Sequence, residues 1–252
     1  MYNNITLHEL GESHKSDLIK GILGSIVEVN GIFNLLPFNT SNDSKNLTDT
    51  LENDKDLLVT LDTNNADRTG VEVASKAKKA ARKYLSLILY ANEEEHGFNG
   101  LDTVVSLSNN DTSGDISDWR TADGVFKTLD DGLSNNVDCF IMSRKSVSVY
   151  KKALREKQEN TESVEFPNGQ SVLSYKDVPI FVNDYIQGDS QTYVYGLKFA
   201  NETDDSGITG LFSDGDAGID IHIDGINTRL RWKCGFDIKN SDSVWRKKIL
   251  IK

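Results

Sequence analysis

Lysine and arginine are in short supply in this 252-residue chain: 28 stand against 39 aspartates and glutamates, for a formal net charge of -11 and an isoelectric point near 4.9. Tight, sequence-independent binding to nucleic acid requires cationic side chains that displace counterions from phosphates, so the charge balance argues against it. An acidic wall can still enclose DNA without gripping it. Long apolar runs are missing too. The longest, around 85–89 and 249–251, fall far short of the roughly 20 residues of a bilayer span, and no membrane partner is expected. Residues 1–7 lack the basic start and apolar middle of a secretion signal, which places the chain initially in a cytoplasm. Cysteine is scarce: Cys139 and Cys234 stand far apart in apolar, strand-like contexts. That argues against a disulfide framework and for two small buried hydrophobes.

Signatures of catalysis and metal binding are also absent. His8, His14, His96 and His222 show no paired spacing such as a metalloprotease helix uses, and neither cysteine has a partner two residues away, which argues against zinc. No Gly-x-Ser-x-Gly turn is present to carry a serine nucleophile. Gly21-Ile22-Leu23-Gly24-Ser25 lacks the lysine of a phosphate loop and follows no strand, so a small-residue kink accounts for it. The cluster Asp214-Gly215-Asp216-Ala217-Gly218-Ile219-Asp220 has the short carboxylate spacing that calcium favours. Its twelfth position, however, is Gly225 where a carboxylate is needed, and strand alternation explains Asp220 without a metal. The chain is therefore not expected to be an enzyme or to need a cofactor.

What is present is a soluble composition, 37% hydrophobic and 27% charged, in a chain long enough for one large domain or two smaller ones. Residues 5–38 read as an arm. A short amphipathic stretch (Leu18, Ile19, Ile22, Leu23, Ile26) precedes Ile32-Phe33-Asn34-Leu35-Leu36-Pro37-Phe38, where Pro37 closes any helix. Residues 39–67 are crowded with Asn, Asp, Ser and Thr around one strand candidate at 57–61, the composition of an exposed loop that is mobile before assembly. Thr69-Gly70-Val71-Glu72 has capping-box spacing and opens a long helix, with Ala74, Ala77, Ala81, Leu85 and Ile88 at helical intervals. It ends near Asn92, because the dipole disfavours Glu93, Glu94 and Glu95 at a helix carboxyl end. Its other face carries Lys76, Lys78, Lys79, Arg82 and Lys83, read either as a solvated face or as a contact surface in an assembly.

Beyond Gly97 the pattern is α+β. A helix is predicted at 119–133, a strand at 137–142, and a second helix from the Ser143 cap to about residue 158. A hairpin turn at Pro167-Asn168-Gly169 and strands at 180–182 and 193–199 complete a mixed sheet flanked by helices. Toward the end Ile219, Ile221 and Ile223 alternate with Asp220, His222 and Asp224, and Asp224-Gly225 offers a turn. Leu230, Trp232, Cys234, Phe236 and Ile238 then share a face opposite Arg229, Arg231, Lys233 and Asp237. This is an antiparallel ribbon with one packed side, expected against the long helix, and Trp232 belongs to that packed side. Trp119 and Trp245 stay open between core packing and a stacking surface.

Five stretches, in order, are Leu35-Leu36-Pro37-Phe38, the long helix, Phe98-Asn99-Gly100-Leu101-Asp102, residues 137–142 with Ser143-Arg144-Lys145, and Val178-Pro179-Ile180-Phe181-Val182 followed by Asp184. Together with 228–237 they cover most of the chain. Their order and spacing resemble the major capsid proteins of tailed phages, the Hong Kong ninety-seven type of shell subunit, whose fold encapsulins share. The resemblance implies an α+β capsid fold with a long spine helix, a mixed-sheet axial domain, an extended amino-terminal arm and a short extended loop. The expected domains are the arm at 1–38, the shortened loop at 39–68, a peripheral domain at 69–96 and 216–252, and an axial domain at 97–215. Only about 30 residues separate Phe38 from the long helix, where the family has a longer insertion. Cross-linking and maturation cleavage are therefore not carried over.

The implied function is that of a major capsid protein, which self-assembles through pentamers and hexamers into an icosahedral shell around a phage double-stranded DNA genome. Its expected partners are itself, a portal and a separate scaffolding protein, and its expected place is the virion capsid, with the host cytoplasm during assembly. Subunit contacts are expected at Phe33, Leu36 and Phe38 in the arm, Lys79, Arg82 and Lys83 on the helix, and Arg229 and Arg231 on the ribbon. The alternatives are an encapsulin-like compartment enclosing enzymes and, from a different class, an acidic metal-dependent hydrolase using the 214–224 carboxylates or a β-rich binding protein.

Overall fold

The computed structural model describes all residues except 1–4, 42, 44–45, 50–57, 61–65, 106–111, 113, 202–205 and 225–226, and only the backbone at 49, 58–60, 66–69, 222–224 and 227–229. The chain forms two compact units, Met1–Gly100 with Thr209–Asp237 (unit 1) and Leu101–Ile208 with Ile238–Lys252 (unit 2).

Unit 1 begins with strand β1 (Ile5–Thr6) and helix α1 (Leu7–Ser13). Thr6 and Glu9 cap α1 reciprocally: the Thr6 N–H donates to Glu9 Oε2 at 2.9 Å and the Glu9 N–H to Thr6 Oγ1 at 3.3 Å. Helix α2 (Asp17–Val27) starts at the Ser16 cap and buries Ile19, Ile22, Leu23 and Ile26, one face at helical spacing, while Leu18 points outward. It packs on α3 (Ala66–Tyr90). The segment expected to reach away as an arm is thus folded into unit 1, because its apolar positions fall on one face and find a core there.

Helix α3 begins at Ala66, one turn before the Thr69 cap expected from the sequence. No breaker stands at 66–68, and Asp67 suits a first helical turn. At the other end Asn92 caps a separate short helix, α4 (Glu93–His96), by accepting the Glu95 N–H at 2.8 Å. The three glutamates that a helix terminus would repel therefore open a new helix.

The unit 1 sheet runs in the order β1, β2 (Pro37–Ser41), β11 (Ile208–Ser213), β13 (Asn227–Ile238) and β12 (Ile219–Asp224), and β3 (Thr48–Asp49) and β4 (Leu58–Thr60) also pair with β13. β2 and β11 are parallel and put Gly210 opposite Phe38. A Cβ on Gly210 would collide with the Phe38 ring, so only glycine fits there. The β12–β13 ribbon packs on α3 as expected. Tyr84 and Trp232 rings lie 5.2 Å apart between centroids, and Phe33 and Phe38 join them.

Unit 2 is a seven-stranded mixed sheet in the order β5 (Ser117–Asp118), β14 (Val244–Leu250), β10 (Gln191–Leu197), β6 (Cys139–Met142), β9 (Val178–Val182), β8 (Ser171–Tyr175) and β7 (Glu162–Glu165). Its helices are α5 (Leu101–Val105), α6 (Ala122–Leu133) and α7 (Arg144–Lys157). Every residue of central strand β6 is buried, which is why Cys139-Phe140-Ile141-Met142 reads as a continuous apolar run. Its parallel neighbour β9 is reached through α7 and the β7–β8 hairpin, whose turn holds Gly169 at φ 78°. Residues 238–252, expected beside the long helix, belong here instead: β14 pairs with β10 along its whole length and closes the core with Trp245 and Ile249. Residues 209–215, expected in the axial domain, belong to unit 1.

Trp119 lies before α6, which starts at the Thr121 cap. It is buried and its Nε1–H donates to Thr128 Oγ1 at 2.9 Å, so both tryptophans left open by the sequence are core residues. Cys139 and Cys234 are buried free thiols, one in each unit. Burial pushes the Cys139 thiol well up.

Candidate functional site

Among the described residues, no three His, Cys, Asp or Glu side chains converge as a metal site. The turn that begins the acidic cluster has four successive residues at positive φ, Gly215 (φ 79°), Asp216 (φ 31°), Ala217 (φ 58°) and Gly218 (φ 74°). Trp232 Nε1–H donates to the Ala217 carbonyl at 3.2 Å, and Asp216 Oδ1 lies 3.3 Å from His14 Nε2. Asp220, exposed, stands in register with Arg231 across the ribbon. These carboxylates are thus distributed over a turn and a strand and do not converge on one point.

The residues expected at subunit contacts divide into two groups. Phe33, Leu36 and Phe38 are all 0% exposed within the protomer, in the aromatic core with Tyr84, Phe212 and Trp232. They are core residues and not a contact surface. The sequence shows that a hydrophobic cluster must be covered, but not whether its own chain covers it. Lys79 and Arg82 are exposed and Lys83 is half-buried. Arg231 is half-buried, and Arg229 pairs through its backbone with His222 and Leu58, its side chain lying outside the described residues.

The outward face of α3 is a continuous stripe. Val71, Ser75, Lys79, Arg82, Ser86 and Tyr90 follow one another at spacings of three or four residues, so they line one side of the helix. At about 1.5 Å per residue the stripe is about 28 Å long. Its two ends are apolar and exposed, Val71 at 70% and Tyr90 at 44%, and its middle is basic. Lys78, beside the stripe, is held by Glu28 of α2 at 2.7 Å. Reading the lysine face alone missed Val71 and Tyr90; their place at helical spacing among the lysines is the signal that marks them.

Two depressions lie among the described residues of unit 2. The first is an open groove of about 920 Å³ at the amino end of α7. There Arg144 donates through Nε and Nη2 to Asp184 at 3.1 and 2.8 Å, and Lys145 Nζ lies 2.6 Å from Asp189. All four side chains are exposed and the charges cancel pairwise. These pairs span 40 and 44 residues, so no local pattern announces them.

The second, of about 630 Å³, has Phe126, Tyr150 and Tyr175 in its lining. Tyr150 donates to the Ser174 carbonyl at 2.9 Å and Tyr175 to Asp130 Oδ1 at 2.9 Å. Burial, helped by the Asp130 carboxylate, pushes the Tyr175 hydroxyl up to about 12. Both phenols are thus protonated donors with partners within the unit, and neither is poised as a base.

No family model matches the chain, and no curated protein matches it. Solved structures do. The holo-SrpI encapsulin complex from Synechococcus elongatus PCC 7942 is similar with a TM-score of 0.59 at 14% sequence identity, over 88% of this chain and 88% of that one. A virus-like particle from Pyrococcus furiosus is similar with a TM-score of 0.51 at 10% identity, over 93% of this chain and 99% of that one. The chain therefore has the encapsulin-related, Hong Kong ninety-seven type of capsid fold.

Proposed function

We propose that this chain is the repeating subunit of a closed protein shell and acts by self-assembly. The observation that carries the reading is the similarity along nearly the whole chain to two shell-forming proteins. In a shell, many contacts of modest area become strong because each subunit makes several at once.

The finer reading is a phage major capsid protein, arranged in pentamers and hexamers with a portal and a scaffolding protein, enclosing double-stranded DNA in the virion. The net charge of -11 suits a wall that contains DNA without binding it tightly. The second reading is an encapsulin-like compartment for protein cargo, favoured by the similarity to an encapsulin. Negative-stain electron microscopy of the purified chain, with light scattering across a concentration series, tests the shared claim. Closed particles or rings are expected; a monodisperse monomer at every concentration and salt level overturns it. Nuclease-protected nucleic acid in particles from the native source supports the phage reading, and co-purifying enzyme with no nucleic acid supports the compartment.

A further inference from the structure

The stripe on α3 and the short helix α4 carry opposite charge, and both belong to unit 1. Lys79 and Arg82 are exposed in the middle of the stripe, between exposed Val71 and Tyr90. Glu93, Glu94 and Glu95 are all exposed in the first turn of α4. Glu93 is engaged locally, its Oε2 accepting from Asn99 Nδ2 at 3.3 Å, whereas Arg82, Glu94 and Glu95 enter no ion pair among the described residues.

The net charge of -11 makes two copies repel one another on average, so an orientation that sets a basic patch against an acidic one is selected electrostatically. The stripe provides the rarer sign, flanked by apolar side chains that gain from being covered. A shell needs the heterologous form of such a contact, in which each copy gives its acidic tip to one neighbour and its basic stripe to another instead of both to a single two-fold partner. Such a contact closes a ring when the rotation allows it.

We infer that the outward face of α3 docks a second copy of this chain, with Lys79 and Arg82 of one copy against Glu93–Glu95 of the next and Val71 and Tyr90 covered in the contact. This rests on the shell reading and gives it a specific interface. At physiological ionic strength charges are screened over about 8 Å, so the pairing acts only at contact range and weakens with salt.

Charge exchange tests it. One variant carries Lys79→Glu and Arg82→Glu, and the other carries Glu93→Lys, Glu94→Lys and Glu95→Lys. Each alone presents like charges to itself, whereas a mixture restores opposite charges at every contact between unlike copies. Both variants alone are expected to lose assembly in light scattering at concentrations where the wild-type chain assembles. An equimolar mixture is expected to recover association between unlike copies, read as pairs or even-numbered oligomers because a five-membered ring cannot alternate two variants, and circular dichroism melts matching wild type show that the folds are intact. Variants that assemble like wild type, or that fail alone and also fail when mixed, overturn the inference, as does capture of a different macromolecule by the stripe while assembly proceeds unchanged. A wild-type chain that never assembles removes the shell reading itself, a result distinct from the others.

Discussion

The hydroxyl of Tyr84, in the long helix, donates a hydrogen bond of 2.8 Å to the carbonyl of Gly235, 151 residues further along the chain. Both ends are buried, and burial raises the phenol's pKa well above its ordinary value, so the proton stays in place as donor. Tyr84→Phe keeps the ring stack with Trp232 and leaves the carbonyl unanswered in the core. The expected loss is about 1–3 kcal/mol of folding stability, read from the urea midpoint.

Gly210 and Phe38 give a steric prediction. They are register partners on parallel strands, and the ring occupies the space a side chain on residue 210 would need. Gly210→Ala is expected to cost about 1–3 kcal/mol as the packed core is forced apart. Phe38→Leu in the same chain is expected to recover part of that loss, which denaturant titration of the single and double variants measures.

Asp118 gives a pH prediction. Its carboxylate accepts from Arg120 Nε and Nη2, both at 2.8 Å, which lowers its pKa from the ordinary 3.8 to about 2. A depressed carboxyl contributes stability that is fully present above its unfolded value and is lost as pH falls from about 4 to about 2. A carboxyl-carbon NMR titration is expected to place Asp118 near 2 in the wild-type protein. In Arg120→Gln the midpoint is expected to return toward the usual carboxylate range; an unchanged midpoint would refute the assignment to Arg120.

The parts of this fold that were legible in the sequence are those with a local period or a local cap. The amphipathic α2, the apolar run of β6, the Ser143 cap and the alternating ribbon all have one, and all formed within a few residues of expectation. Two Thr-x-x-Glu spacings occur near the start of the chain. The one at Thr69 falls inside a longer helix, whereas the one at Thr6 closes into a capping box, because what precedes a cap decides whether it is used.

Partnership over long separations was legible for the ribbon against the long helix but not for the terminal strand. Residues 244–250 form a strand with no clean alternation, and only the seven-stranded sheet reveals that β10 is their neighbour. The same limit governed the contact surface: Phe33 and Phe38 look no different in sequence whether covered by a neighbour or by Tyr84 and Phe212. Charge on α3 was visible because a helical period exposes it, and its counterpart on α4 was visible as an anomaly, three acids where a helix should not end.

Each unit is assembled from two separate stretches of chain, and this sets an order of events during synthesis. When Gly100 leaves the ribosome, Phe33, Phe38 and Tyr84 have been made but Phe212 and Trp232, which cover them, have not. At about 5–20 residues per second, that aromatic surface stays uncovered for on the order of 10 s, while much of unit 2 is threaded out behind it. The second unit waits in turn for β14, made after Trp232. Both cores are therefore completed close together, and a nascent chain has no finished unit until β13 has been made.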